Sequence, residues 1–344
     1  MVQLVMSSIA LPADVSRSVT VLGWSGGDAM LATDGFTFLR VSQSGAVERI
    51  ALRERSHRGV RIPPQIVSVH GRPSLIAAGC LDGRVLISRD GGFRWKDLRT
   101  LGRRRGVSQV LCIDEETILV RTKPAGRPSV SDILAGKAID ANHAAVVAAT
   151  RSESWTWLAS SSVRMETMTV TADGTVFALP NQDWHDEASA VSRALLTLDS
   201  GSWRMRLDID STDVRTTAYR CEGMTLVSTG PDLLVATSHG VWRSDGPRFV
   251  RVLELNAWAR LVSDGGDHVA AWVRGSNGRG LSRSPPRDAM VWRSRDGGRT
   301  FAPLPDLPVG TEIDAACFSG EGVLYLGGSF APPREPEHPL LLCE

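Results

Sequence analysis

The sequence predicts an all-β chain folded as a seven-bladed β-propeller, a ring of four-stranded antiparallel blades, and three observations predict it. Short runs rich in β-formers recur along the 344 residues, separated by glycine-containing turns. One turn sequence repeats at a step close to the length of a propeller blade. An apolar run at Val2–Ile9 has no partner nearby and matches the edge that the last blade lacks. At 344 residues the usual size prior favours two domains. A ring of blades needs only one, because each blade packs on its neighbours and no single core has to grow.

The repeat is clearest in two segments. Ser88, Asp90, Gly92 and Trp95 stand in one, and Ser294, Asp296, Gly298, Thr300 and Phe301 stand in the other. Both resemble the Asp box of sialidases and many other propellers, written Ser/Thr-x-Asp-x-Gly-x-Thr-Trp/Phe. The second copy is complete, and the first departs only at the threonine, which is Arg94. Shortened echoes follow at Asp199, Gly201 and Trp203, and at Ser244, Asp245, Gly246 and Phe249. Degenerate ones lie at Ser152–Trp155 and Ser42–Gly45. With turn centres at residues 44, 90, 152, 199, 245 and 296, the steps are 46, 62, 47, 46 and 51.

The chemistry of such a turn is structural. Glycine supplies the positive φ, and the short aspartate side chain bonds to nearby backbone amides. The resemblance places each box between the third and fourth strands of a blade, with the aromatic starting the outer strand. Strand text then divides the chain into blades at about 18–52, 66–98, 107–158, 163–207, 224–254, 258–304 and 312–343, with 1–11 supplying the closing strand. Rings of six or eight blades are the alternatives.

In a four-stranded meander the turns alternate between two faces. The Asp-box turns share a face with the turns from strand one to strand two. The loops from strand two to strand three lie opposite, with the connections between blades. Every long insertion identified falls on that opposite face: Lys123–Asn142, Pro180–Arg193, Gly275–Ala289 and Ser329–Pro339. Long loops on a rigid scaffold are where binding usually sits. Two connections there are basic. One carries Arg58 and Arg61; the other carries Arg103, Arg104 and Arg105. They flank the same blade, so a local positive patch for an acidic partner or an anionic ligand is expected. Trp184 and His185, in the fourth blade's insertion, are further candidates on this face.

Catalytic signals are sparse. Arg61, Ile62 and Pro63 match the Arg-Ile-Pro tripeptide that in sialidases begins the carboxylate-binding arginine set. That family also needs a tyrosine nucleophile with a carboxylate partner, and the chain has only Tyr219, with Glu222 near it, and Tyr325. Trp184, His185, Asp186 and Glu187 cluster a histidine with two acids, yet neighbours in sequence seldom converge on one point. The histidines show no metal-binding spacing, and no phosphate loop or serine-nucleophile motif appears. No catalytic residue, metal or cofactor is therefore expected.

The net charge of +1 gives no overall field for nucleic acid or an anionic membrane. The basic residues are nearly all arginine. Five scattered cysteines form neither a disulfide framework nor a zinc site, which points to a reducing compartment. The first eleven residues lack the basic start of a signal peptide, and no apolar stretch approaches membrane-spanning length. A cytoplasmic location follows. The resemblance to non-enzymatic Asp-box propellers, including photosystem-assembly-factor-like proteins of bacteria, implies a non-catalytic scaffold binding a protein or an anionic ligand. A sialidase-type glycoside hydrolase and an accessory subunit of a bacterial multi-protein system are the other readings.

Overall fold

A computed structural model describes residues 6–9, 11–12, 19–24, 29–33, 35–42, 44–57, 60–98, 105–124, 143–149, 154–161, 165–180, 194–199, 202–208, 225–237, 240–246, 248–255, 257, 259–273, 289–305, 307, 311–330 and 340–343. Among these residues the structure is all-β.

The chain begins with β1 (Met6–Ile9). Sheet 1 follows as β2 (Val19–Trp24), β3 (Ala29–Thr33), β4 (Thr37–Val41) and β5 (Val47–Arg49). A separate hairpin, β6 (Arg55–His57) with β7 (Val60–Ile62), leads into sheet 2. Sheet 2 holds β8 (Ile66–Arg72), β9 (Leu75–Cys80), β10 (Val85–Ser88) and β11 (Lys96–Asp97). Sheet 3 holds β12 (Arg105–Cys112), β13 (Thr117–Pro124), β14 (His143–Ala149) and β15 (Ser154–Ser161). Sheet 4 holds β16 (Met165–Val170), β17 (Val176–Pro180), β18 (Ala194–Asp199) and β19 (Ser202–Asp208). Sheet 5 holds β20 (Thr225–Thr229), β21 (Asp232–Thr237), β22 (Gly240–Asp245) and β23 (Arg248–Glu254). Sheet 6 holds β24 (Ala259–Ser263), β25 (Val269–Val273), β26 (Met290–Ser294) and β27 (Ala302–Pro303). Sheet 7 is assembled from β28 (Thr311–Phe318), β29 (Leu324–Phe330), β30 (Leu340–Cys343) and β1.

Each of these sheets is an antiparallel meander. In sheet 7 the register runs from Met6 opposite Cys343 to Ile9 opposite Leu340, so the two ends of the described chain share one sheet. The first strands pack side by side in a closed cycle: β2 on β8, β8 on β12, β12 on β16, β16 on β20, β20 on β24, β24 on β28, and β28 back on β2.

The core is divided accordingly, with one apolar cluster at each junction between consecutive sheets. Strand β9 shows why the sequence does this. All six of its residues are buried. Leu75 and Ala77 enter the cluster against sheet 3, while Ile76, Ala78 and Cys80 enter the cluster against sheet 1. The side-chain alternation of a strand thus feeds two different interfaces, and the strand reads as continuously apolar because neither face meets water.

The turns at Ser88–Trp95 and Ser294–Phe301 have the same wiring. Ser88 Oγ donates to Asp90 Oδ1 at 2.8 Å and accepts the Gly92 N–H at 2.8 Å, and Asp90 Oδ1 accepts the Arg94 N–H. Ser294 Oγ repeats both bonds with Asp296 and Gly298, and Asp296 also accepts the amides of Arg299 and Thr300 and the Thr300 hydroxyl. Burial alone would raise the Asp296 pKa, but the bonds from Thr300, Ser294 and Arg299 outweigh it and bring it to about 2. At Gly298, φ is +77° and a Cβ would meet Leu234 Cδ2 at 2.4 Å, so the turn packs straight onto sheet 5. Because the turn persists through Trp95, β11 is only two residues long. Trp95 stacks edge-on against Phe38 of sheet 1, with ring centroids 5.0 Å apart.

The innermost strands have a β partner on one side only, so the backbone of their other edge needs different partners. Side chains of adjacent sheets supply them. The Val110 N–H donates to Ser68 Oγ and the Cys112 N–H to His70 Nδ1, while Arg72 Nε donates to the Cys112 carbonyl. Gln109 pairs its amide with both backbone groups of Met168, at 2.8 and 3.0 Å. Ser228 Oγ donates to the Val170 carbonyl.

Two outcomes are expected from this packing. A Cβ at Gly79 would meet Val107 Cγ1 at 2.3 Å across the junction of sheets 2 and 3. Gly79→Ala should cost about 1–3 kcal/mol, measured as a lower urea midpoint with unchanged m-value. The second concerns His70, where burial, reinforced by Arg72, lowers the pKa from 6.5 to about 4. The unfolded chain then takes up a proton near pH 6.5 that the folded chain refuses until about pH 4. Stability should therefore fall by about 1–3 kcal/mol as pH drops through that window. His70→Asn, which keeps an acceptor for Cys112, should remove this part of the slope in urea titrations at pH 7.5 and pH 4.5.

Candidate functional site

Every connection between sheets enters at the start of an innermost strand, so those starts mark one face of the ring, the loop face. The Ser-x-Asp-x-Gly turns lie at the opposite ends, on the turn face. On the turn face the described turns are short, and several are satisfied by their own side chains. Thr171 donates to Asp173, Asp114 accepts the amides of Glu116 and Thr117, and Ser319 accepts those of Glu321 and Val323. On the loop face the gaps between second and third strands are long in sheets 3, 4, 6 and 7, running over 125–142, 181–193, 274–289 and 331–339. A further long gap, 209–224, joins sheets 4 and 5 on that face.

Arg61 and Arg105 both lie in strands on the loop face. Arg61 is opposite Ser56 in the β6–β7 hairpin, and three residues separate the end of that hairpin from β8. Arg105 opens β12 opposite Pro124. Since β8 and β12 pack side by side, the two basic segments reach the ring at adjacent innermost strands. The sequence suggested plain connections at both places. Instead the first holds a hairpin, and Arg105 of the second already belongs to sheet 3. Arg58, Arg103, Arg104, Trp184 and His185 lie outside the described residues.

An unanticipated residue anchors the first segment. Arg84 follows the turn between β9 and β10, on the loop face, and its side chain is 0% exposed. Its Nε donates to Asp82 Oδ2 at 2.8 Å and its Nη1 to the Arg53 carbonyl at 2.7 Å. Arg53 lies just before β6, so this buried guanidinium pins the root of the basic hairpin to sheet 2. Its Nη2 has no hydrogen-bond partner. The only sequence signal was an arginine ending the turn Asp82-Gly83-Arg84, ahead of an apolar strand.

The centre of the ring holds a cavity of about 360 Å³ bounded by sheets 1, 2, 5, 6 and 7. Its polar lining comes from Thr20, Ser68, Thr225, Arg260 and Asp314, with Trp272 behind them. Thr20, Thr225 and Arg260 lie at or next to the starts of their strands, so the cavity sits towards the loop face. Five innermost strands carry a β-bulge within their first four residues. The extra residues are Thr20, Val67, Ser108, Glu166 and Asp314, each at a register shift against the second strand. A bulge drops one residue out of the ladder and re-aims the strand there. Arg260 and Asp314 were legible only as charges interrupting apolar strand text, between Ala259 and Leu261 and between Ile313 and Ala315.

The features a sialidase needs do not gather at this cavity among the described residues. Tyr325 is 3% exposed and belongs to the apolar cluster between sheets 7 and 1, while Tyr219 and Glu222 lie outside the described residues. No group of three His, Cys, Asp or Glu among the described residues is placed to hold a metal ion. Cys112 and Cys317 are buried, and burial pushes each thiol up to about 12. Both are protonated core residues rather than nucleophiles.

No family model matches the sequence, and a search of curated proteins finds no match. Solved structures do resemble it. "YCF48 bound to D1 peptide" aligns with a TM-score of 0.62 at 12% identity, covering 99% of this chain and 96% of that one. "YCF48 from Cyanidioschyzon merolae" gives 0.62 at 14% identity, with 98% of both chains covered. "Structure of U3-55K" gives 0.60 at 14%, again with 98% of both. At these identities the likeness shows the fold, a β-propeller.

The Arg84 anchor makes the first segment testable. Arg84→Met keeps the volume but removes the bonds to Asp82 and the Arg53 carbonyl. It should cost about 1–3 kcal/mol. Limited proteolysis should then cut within 53–62 several-fold faster than in the parent protein, with the sheets intact by circular dichroism.

Proposed function

We propose that the chain is a non-catalytic, seven-bladed propeller scaffold that binds a protein partner, or an anionic ligand, through its loop face. On this reading the seven four-stranded sheets are the full set of blades, and the Ser-x-Asp-x-Gly turns are Asp boxes of the BNR-repeat kind. The observation that carries the reading is the arrival of two arginine-rich segments at adjacent innermost strands, β8 and β12, on the face that also bears the long loops. Arginine pairs bidentately with carboxylates and phosphates, so the patch suits an acidic partner surface. One propeller of similar fold is described as bound to a peptide, which agrees with a peptide- or protein-binding role. The turn face carries shorter turns, several of which bond their own polar groups to one another.

The buried, reduced thiols of Cys80, Cys112 and Cys317 agree with a reducing, cytoplasmic setting. No helix among the described residues is long and apolar enough to cross a membrane.

The test is charge reversal. Arg103→Glu, Arg104→Glu and Arg105→Glu together should abolish co-purification of the native partner from its host. Arg299→Glu, on the turn face, should leave it unchanged, and both proteins should keep the parent melting temperature. Retention of the partner by the triple variant would remove the patch from the interface.

A further inference from the structure

We infer that sheet 7 is a strand-exchange site for a second copy of this chain: β1 leaves its own ring and completes the same sheet in the other.

The ring does not depend on β1 for its closure. The closing contact is between innermost strands, β28 on β2, and β29 also packs on β2. The apolar cluster between sheets 7 and 1 is built mainly from Val19, Leu22, Leu39, Ala315 and Tyr325. Strand β1 adds Ile9, which is 8% exposed, and Leu11 packs against the cluster just beyond it. The rest of its hold is a four-residue ladder to β30, at the outermost place in sheet 7. A short edge strand of this kind belongs to the low-stability end of a fold and opens locally while the core stays intact.

Its departure uncovers β30, whose sequence is Leu-Leu-Leu-Cys over Leu340–Cys343. A bare apolar edge with no charge and no proline is a template for another strand. The strand that fits it in register is β1, from Met6 opposite Cys343 to Ile9 opposite Leu340. A second copy offers the same strand and the same edge. Exchange is therefore reciprocal, and it closes as a symmetric pair instead of propagating.

The tether permits it. Nine residues, 10–18, join β1 to β2, and fully extended they reach about 30 Å. Within one ring β1 lies three strand places from the innermost position of sheet 7, about 14 Å away. Length is left over for reaching a second ring. Each sheet 7 makes the same ladder in either arrangement, so the balance is set by the effective concentration that the tether imposes. For a short link this is of millimolar order. Exchange grows as the protein concentration approaches that value, and a tether too short for its own ring forces it.

The experiment uses the full chain with Met6→Cys. Position 6 stands directly opposite the native Cys343, and facing residues of an antiparallel ladder lie within disulfide range. Isotope-labelled and unlabelled proteins are mixed reduced, incubated, oxidised and digested, and the disulfide-linked peptides are weighed by mass spectrometry. Peptide pairs with one heavy and one light arm should form at about 1 mM protein, and at least about tenfold fewer at about 1 µM. Protein oxidised before mixing should give none. The triple reversal at Arg103, Arg104 and Arg105 should leave exchange unchanged, which separates this site from the partner surface. Deletion of residues 13–18 leaves a tether of about 10 Å. By light scattering that variant should be a dimer at about 1 µM, where the parent is a monomer. If it fails to fold, the isotope measurement on the intact tether decides alone. Three results would each overturn the assignment: same-isotope pairs only at the higher concentration, linkage of position 6 to position 6 as often as to Cys343, or a folded, monomeric deletion variant.

Discussion

The structure rests on the requirement that every sheet be buried on both faces. A β-sheet in isolation has a wet side, and a two-layer sandwich solves this with one partner. Here each sheet has two partners, and the cycle of contacts from β2 round to β28 leaves no sheet at an end. Consecutive residues of a second strand therefore belong to different interfaces, as in β9, where sheets 1 and 3 take alternate side chains. Close approach is part of the same requirement. Gly79 against Val107 and Gly298 against Leu234 are places where a larger residue would push neighbouring sheets apart.

Such a ring has a cost at its centre. The innermost strand of each sheet has one ladder and one open edge, and open edges invite pairing with other chains. The edges are closed by side chains reaching across from adjacent sheets: Ser68, His70 and Arg72 between sheets 2 and 3, Gln109 between 3 and 4, and Ser228 between 4 and 5. That explains why polar residues occur in strands whose neighbours are apolar. It also ties His70 to its neutral form, because only a bare Nδ1 can accept the Cys112 amide. The junction of sheets 7 and 1 is mainly apolar, with Val19, Leu22 and Trp24 meeting the cluster around Tyr325.

The fold was legible for a local reason. Ser88, Asp90 and Gly92, and again Ser294, Asp296 and Gly298, carry their whole hydrogen-bond pattern within a few residues, so the sequence displays it directly. Strand β26 at Met290–Ser294 follows from the turn after it. The candidate site was much less legible, because its geometry depends on residues far apart in the chain. Arg260 and Asp314 meet across 54 positions, and Arg84 reaches back 31 to the Arg53 carbonyl. The bulges at Thr20, Val67, Ser108, Glu166 and Asp314 share no residue type, since a bulge is a property of two strands in register. The β6–β7 hairpin was read as a connection because three-residue strands carry too little periodicity to register as strands.

Sheet 7 joins a strand near residue 6 to one near residue 343, which places the greatest sequence separation in the molecule at a single ladder. During synthesis the earliest strand has no sheet to join until the last one emerges. Loop closure of that length is slow and entropically late, so six sheets can form while the seventh is still incomplete. Over that interval the apolar flank of sheet 1, with Val19 and Leu22, faces no partner. The closing strand thus sets a kinetic window of vulnerability. Its length depends on translation rate and temperature rather than on the stability of the finished ring, and aggregation in overexpressing cells should track it.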